Sequence, residues 1–137
     1  MSQIACLDLE GVLVPEIWIG VADKTGINEL RATTRDMPDY SELMRMRLSV
    51  CDQNGLTLQD IREVISDMLP LEGAKEFLYW LKEKFQVVIL SDTFYQFAFP
   101  LMKQLDFPTL FCHNLETDDS GRITDFKLRM KDQKKQA

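Results

Sequence analysis

The chain has 137 residues, of which 45% are hydrophobic, and it carries a formal net charge of −6. This length suits one domain with its own core and is short for two. Because Lys and Arg form no long block before the C-terminus, we expect no nucleic-acid partner. We also expect no membrane span, since no apolar stretch approaches the roughly 20 residues that a membrane-spanning helix needs.

The three cysteines, Cys6, Cys51 and Cys112, are odd in number and far apart, and they form no CxxC pair. This pattern argues against a disulfide framework and against a zinc site, and it favours a reducing compartment. The first apolar run lacks a basic flank and contains Asp8, so it does not resemble a signal peptide. The sequence therefore predicts a soluble cytoplasmic protein.

An apolar run at residues 4–7 leads directly into two carboxylates, Asp8 and Glu10, followed by Gly11. A short continuous apolar run is typical of a strand buried on both faces in a parallel sheet. Asp8 and Glu10 are two residues apart, so an extended backbone points both side chains the same way. Ligands of open α/β folds bind where such strands end. A strand that simply ends in a solvated acidic turn is the alternative.

Residues 15–69 show helical periodicity and predict no strand. Pro15 and Glu16 suit the first turn of a helix. In a second helix, at residues 39–52, Arg47 lies within the apolar stripe, where it either meets a buried partner or extends to water. Asn54 and Gly55 end that helix, and Thr57 caps the next one. These residues are interpreted as a small helical insertion.

Beyond residue 70 the chain predicts a helix, a buried strand at residues 87–90, a helix at residues 94–105, and a third strand at residues 109–113. Residues 115–118 and 122–128 then predict a hairpin. The second strand ends on Ser91, Asp92 and Thr93. His113 is expected to be structural, because nothing near it in sequence completes a dyad or a metal site. The aromatic residues Trp18, Trp80 and 94–99 are expected in the core.

Strands that alternate with helices predict an α/β fold with a parallel sheet. Two strand ends, at Asp8 and at Ser91, then meet along one sheet edge. Two stretches carry a resemblance to a known family: Asp8-Leu9-Glu10-Gly11-Val12-Leu13-Val14-Pro15-Glu16 and Val88-Ile89-Leu90-Ser91-Asp92-Thr93-Phe94. They resemble the phosphoserine phosphatase group of the haloacid dehalogenase (HAD) superfamily. The nearest likeness is to its ThrH branch, described as bifunctional phosphoserine phosphatase/homoserine kinase.

The resemblance implies a Rossmann-like core at residues 1–14 and 70–137, with a helical cap at residues 15–69. It implies that Asp8 is the nucleophile that forms an aspartyl-phosphate. Glu10 matches the general acid and base, although Asp is the usual residue there. Ser91 matches the hydroxyl that contacts the phosphoryl group. Lys134 best matches the basic residue that neutralises its charge, although Lys131 and Lys135 are close in sequence.

The same resemblance implies a substrate, O-phospho-L-serine, and a cofactor, Mg²⁺, bound by Asp8 and by the main-chain carbonyl of Glu10. Water or homoserine accepts the phosphoryl group, and the sequence does not separate the two. The substrate's ammonium and carboxylate groups are expected at Glu16 and Arg47, since a guanidinium fits a carboxylate through two parallel hydrogen bonds. The other substrate-binding residues implied are Tyr40, Asp92 and Thr93.

The sequence departs from the family in one respect. The family has a further acidic motif, Gly-Asp-x-x-x-Asp, which supplies a Mg²⁺ ligand, and this sequence lacks it. Weaker metal binding and a severe loss of rate are therefore expected. Without later strands, residues 4–9 become an exposed apolar edge. We interpret the chain as a C-terminally truncated phosphatase. The alternatives are a non-catalytic protein that binds a small ligand, and an interaction protein that pairs through that edge, for example as a homodimer.

Overall fold

The computed structural model describes residues 3–130 and has an α/β architecture. In chain order, its elements are β1 (Ile4–Leu7), α1 (Ile17–Thr25), a 3₁₀ helix (Asn28–Arg31), α2 (Tyr40–Gln53), α3 (Leu58–Ser66), α4 (Ala74–Lys84), β2 (Gln86–Phe94), α5 (Tyr95–Gln104), β3 (Thr109–Thr117) and β4 (Ile123–Lys127). The predicted α/β class is confirmed. None of the helices in this part of the chain is long and apolar enough to cross a membrane.

The four strands form one sheet in the order β1-β2-β3-β4. β1 pairs parallel with β2, β2 pairs parallel with β3, and β4 joins antiparallel. The predicted third strand and the first arm of the predicted hairpin are one continuous strand, β3. Its first half pairs with β2 and its second half with β4, because β3 extends beyond the end of β2. The prediction of two separate segments was therefore wrong.

β1 lies at one edge of this sheet, as the sequence predicts for residues 4–9. Ile4 is 67% exposed, and exposed and half-buried residues alternate along the strand. The prediction that this strand is buried on both faces was therefore wrong. A strand with a neighbour on one side alone, within residues 3–130, has its other flank open.

β2 runs further than the predicted residues 87–90, because Ser91, Asp92 and Thr93 remain extended as far as Phe94. The register with β3 shifts between Leu90 and Phe94, where four residues of β2 advance against two of β3. Such an irregularity re-aims side chains at the end of a strand. The polar residues therefore lie in an irregular part of β2 rather than in a turn after it.

Residues 15–69 contain α1, the 3₁₀ helix, α2 and α3. α1 begins at Ile17, so the predicted start at Pro15 was too early. Glu16 is the N-cap and has an extended backbone, and its side chain makes no capping hydrogen bond. α2 and α3 begin as predicted after polar caps. The Asp39 carboxylate accepts a hydrogen bond from the Glu42 amide, and Thr57 forms a reciprocal capping box with Asp60.

One cluster of buried apolar side chains runs from the helices of residues 15–69 to the sheet and α5. The ring of Trp18 meets Phe97 edge to face, with 5.5 Å between the ring centroids. Three aromatic residues that were predicted in the core are exposed: Trp80 at 50%, Tyr95 at 38% and Phe99 at 63%. The reason for Trp80 is the helical period: α4 buries Ala74, Leu78 and Leu81, and its other side faces solvent.

Candidate functional site

The carboxyl ends of β1 and β2 bring the two predicted acidic motifs together. After β1 the chain turns at Gly11, whose positive φ of 78° favours glycine, and the Gly11 amide donates to the Val14 carbonyl over 2.7 Å. This turn directs Glu10 towards the start of α1, where Glu10 Oε2 accepts a hydrogen bond from the Ile17 amide at 3.2 Å. The positive end of α1 thus holds the Glu10 carboxylate in place.

Arg47 on α2 is 6% exposed, so it does not extend to water. Its guanidinium lies 5.1 Å from the centroid of the Trp18 ring, and Nη2 donates to the Ala32 carbonyl at 3.0 Å. Its buried Nε has no hydrogen-bond partner within residues 3–130. Burial lowers the pKa of Arg47, against the opposing effects of Tyr40 and Glu10. An arginine remains cationic even so, which leaves a buried cation with an unused donor.

Tyr40, the first residue of α2, reaches across to the sheet, where its hydroxyl donates a hydrogen bond to the main-chain carbonyl of Asp92. Burial, and then the negative charge of Asp92, raise the pKa of Tyr40 well above its usual value. The phenol therefore stays protonated and acts as a donor. Glu16, before α1, has Oε1 4.0 Å from Nη2 of Arg35.

These groups surround one cavity of about 230 Å³ between the strand ends and the helices of residues 15–69. It is lined by Asp8, Glu10, Glu16, Trp18, Ile19, Thr33, Thr34, Tyr40, Leu43, Arg47, Ser91 and Asp92. The structure thus collects most of the predicted site residues in one place. The charged side chains that residues 3–130 contribute to this lining are four carboxylates and one guanidinium, so the lining is acidic.

One predicted site residue that the structure describes, Thr93, is not among those that line this cavity. Thr93 is 3% exposed; its amide donates to Ser91 Oγ at 3.1 Å, and its Oγ1 has no hydrogen-bond partner within the described chain. The Thr93 amide therefore helps to fix the Ser91 side chain at the end of β2. Lys134, together with Lys131 and Lys135, lies outside the described residues.

The acidic lining is relevant to a metal ion. Within residues 3–130, no three His, Cys, Asp or Glu side chains lie close enough together to hold one. Mg²⁺ is commonly bound by one or two protein carboxylates and completed by water and substrate phosphate. Asp8 and the Glu10 carbonyl have the right chemistry for such a site, although two protein oxygens are few.

His113 is the residue that sequence reasoning missed. It is 1% exposed, and its Nε2 lies 3.0 Å from Oδ1 of Asp92. The two residues are 21 apart in sequence and meet because β2 and β3 are neighbours. The signal that could have found this contact is positional. His113 ends the predicted third strand just as Asp92 follows the second, and parallel neighbours end at one sheet edge.

Comparison with models of known protein families finds no match. The chain is 65% identical over 135 residues to "Phosphoserine phosphatase ThrH" of Pseudomonas aeruginosa, covering 98% of this chain and 66% of that protein. It is 64% identical over 135 residues to "Phosphoserine phosphatase" of Pseudomonas syringae pv. tomato, covering 98% of this chain and 57% of the relative. The chain thus spans less than two thirds of the length of either relative.

A solved structure described as "Phospho-Aspartyl Intermediate Analogue of Phosphoserine phosphatase" has the same fold. The TM-score is 0.75 at 20% identity, over 93% of this chain and 63% of the other. This likeness supports the α/β fold of a phosphoserine phosphatase. The two bacterial relatives support the ThrH branch. The chain belongs to the haloacid dehalogenase superfamily, in the ThrH branch of its phosphoserine phosphatase group.

Proposed function

We propose that this chain carries the active site of a phosphomonoester hydrolase that acts on O-phospho-L-serine. The observation that carries the proposal is that Asp8, Glu10, Ser91 and Arg47 line the same cavity. The first three come from strand ends and the fourth from a helix, so reacting and substrate-binding groups face one another. The names of the two bacterial relatives support the same substrate.

In the proposed reaction, an oxygen of Asp8 attacks phosphorus and the bond from phosphorus to the serine oxygen breaks. Glu10 gives a proton to the departing serine oxygen and then takes one from the water that hydrolyses the aspartyl-phosphate. The hydroxyl of Ser91 donates to the phosphoryl group. The contact of Glu10 with the first turn of α1 supports this assignment, because it holds the side chain beside Asp8 in the cavity.

We propose that Arg47 binds the carboxylate of the substrate. Its buried cation and its unused Nε donor would gain an anionic partner there. The ammonium group is assigned to the acidic side of the cavity, at Glu16 and Asp92. The aromatic face of Tyr40 would lie against the substrate. In this proposal, residues 15–69 act as a cap that closes over a core formed by residues 1–14 and 70–137.

We infer that Mg²⁺ is the cofactor. A phosphate dianion entering a cavity lined by four carboxylates would be repelled, and among residues 3–130 the lining includes one cation, Arg47. A bound Mg²⁺ would supply charge neutralisation and orientation of the phosphoryl group. Asp8 and the Glu10 carbonyl would hold it.

The proposal is tested by phosphate release from O-phospho-L-serine with Mg²⁺, for the chain and for Asp8→Asn. The variant removes the nucleophile and keeps the volume, so release should fall to background. Removing the metal with EDTA should stop release, and added Mg²⁺ should restore it. Homoserine as a second acceptor, followed by phosphorus NMR, checks whether the group is also transferred. Equal release by the chain and by Asp8→Asn would refute the mechanism.

A second candidate, a non-catalytic protein that pairs with another chain, is favoured by one observation. β1 lies at the sheet edge with Ile4 67% exposed. Such an edge accepts a further strand. Light scattering after size exclusion distinguishes the two candidates. An inactive homodimer that becomes monomeric on Ile4→Lys would support pairing, and an active monomer would exclude it.

A cytoplasmic location stays a prediction. The three cysteines are free thiols in the structure, which is compatible with a reducing compartment.

A further inference from the structure

The peptide that carries Ser91 and Asp92 stands outside the regular pairing of the sheet. The register of β2 with β3 resumes at Phe94 opposite His113, after four residues of β2 have passed two of β3. A bulge disrupts the ladder locally, so contacts from side chains can help to fix such a segment. One such contact is internal, from the Thr93 amide to Ser91 Oγ at 3.1 Å. Two further contacts within residues 3–130 reach Asp92 from α2 and β3.

The first external contact comes from His113 on β3. Its Nδ1 lies 2.9 Å from the main-chain nitrogen of Arg129. A main-chain N–H can donate a hydrogen bond but cannot accept one. Nδ1 must therefore accept, and the ring proton is on Nε2. That proton points to Oδ1 of Asp92 at 3.0 Å. The ring is thus oriented by one hydrogen bond and uses its other nitrogen to hold the carboxylate.

The second external contact comes from Tyr40 on α2, whose hydroxyl donates to the main-chain carbonyl of Asp92. The ring centroids of Tyr40 and His113 lie 5.8 Å apart, so the two rings also pack against each other. Asp92 is consequently held at its main chain by one residue and at its side chain by another. Asp92 is also among the residues that line the cavity.

We propose that His113 is a positioning residue for the active site. Through the Nε2–H bond it holds the Asp92 carboxylate, and with it the Ser91-Asp92 peptide, in place at the edge of the cavity. This role rests on the proposed hydrolysis of O-phospho-L-serine. His113 is not among the residues that line the cavity, so it acts through Asp92.

Two substitutions separate the two hydrogen bonds of His113. The amide nitrogen of Gln can take the place of Nε2 and donate to Asp92. The shorter Asn reaches only the place of Nδ1 and can accept from the Arg129 amide. We expect His113→Gln to keep kcat within a few-fold. For His113→Asn, kcat should fall by roughly 10- to 100-fold, because small displacements of reacting groups cost about that much.

A purely structural role for His113 would give a different result. Both variants would then lower Tm, and their kcat values per folded molecule would match each other and that of the parent. That outcome overturns the proposal. A double-mutant cycle provides a further check: with Asp92→Ala already present, His113→Asn should produce no additional loss of kcat.

The hydrogen bond can also be observed without any turnover. The chain contains one histidine, so its imidazole signals need no assignment. Long-range proton–nitrogen NMR should find the proton on Nε2 and an accepting Nδ1, and Asp92→Ala should shift the Nε2 signal. A proton on Nδ1, or signals unchanged by Asp92→Ala, would overturn the positioning role. Absence of phosphate release with the expected tautomer would instead refute the proposed function.

Discussion

The fate of single residues depends on what the fold places beside them, and Arg47 is the clearest case. The helical period puts it on the apolar side of α2, which leaves both burial and extension to water open. Trp18 on α1 and the carbonyl of Ala32 then enclose it, at 5.1 Å from the ring centroid and 3.0 Å from the oxygen. No local pattern contains those two partners.

Substitution of Arg47 should therefore affect substrate binding more than turnover. Arg47→Lys keeps the charge and loses the two parallel donors, at a cost on the order of 1.5–3 kcal/mol for hydrogen bonds to a charged group. We expect KM for O-phospho-L-serine to rise roughly 10- to 100-fold with a smaller change in kcat. Steady-state kinetics checks this.

The matched control is Arg62→Lys. Arg62 is exposed on α3, where its Nε donates to the Gln96 carbonyl at 2.9 Å, and it is not among the residues that line the cavity. Its KM should stay that of the parent chain. An unchanged KM in Arg47→Lys would remove Arg47 from the substrate site.

At the scale of elements, the β3–β4 hairpin does more than extend the sheet. The Gly121 carbonyl at its turn accepts from the Leu58 amide of α3 at 2.9 Å, and Arg122 pairs with Asp52 at the end of α2. Arg45 of α2 lies over the ring of Phe126 with 5.3 Å to its centroid. The hairpin thus fastens the helices of residues 15–69 to the sheet.

The Asp52–Arg122 pair gives this attachment a pH dependence. The hydrogen bond from Arg122 lowers the pKa of Asp52 below its usual range. A lowered pKa in the folded state means that the pair stabilises the fold above the unfolded pKa of about 3.9. The stabilisation is then lost as the pH falls through the folded pKa. Arg122→Met should lower Tm slightly at pH 7, and the difference should vanish in strong acid.

Thermal melts across that pH range check this expectation, with Lys75→Met as the control. Lys75 is exposed on α4, so this variant changes the net charge equally without touching the hairpin. Arg122→Met should also have no effect once Asp52→Asn is present. A Tm difference that persists in acid would mean that Arg122 acts by packing rather than by its charge.

For the whole molecule, burial in the shared core predicts which of the three thiols react. Cys51 and Cys112 are buried, and burial raises their pKa values to about 11 and about 12. Cys6 is exposed on β1. Because the thiolate is the reactive form, a disulfide reagent should modify one thiol quickly in the native chain and all three after unfolding. Cys6→Ser should abolish the fast reaction. Two or more fast thiols would mean that the core opens readily.

Much of this protein follows from the sequence by itself. Continuous apolar runs, helical stripes, polar caps such as Thr57 and the two acidic strand ends are local patterns, and each corresponds to a local structure. They predicted the α/β class, the order of elements as far as β3, and the convergence of Asp8 and Ser91. The reason is physical: backbone hydrogen bonding and the burial of one face depend on residues a few positions apart.

Tertiary structure alone decided the rest. Whether β1 is buried or lies at an edge depends on which strands flank it, and the continuity of β3 depends on how far β2 extends. The contact of His113 with Asp92 and the enclosure of Arg47 join residues from separate elements. Such contacts follow from register and packing between elements, and these are settled only when the whole core forms, because each depends on all the others.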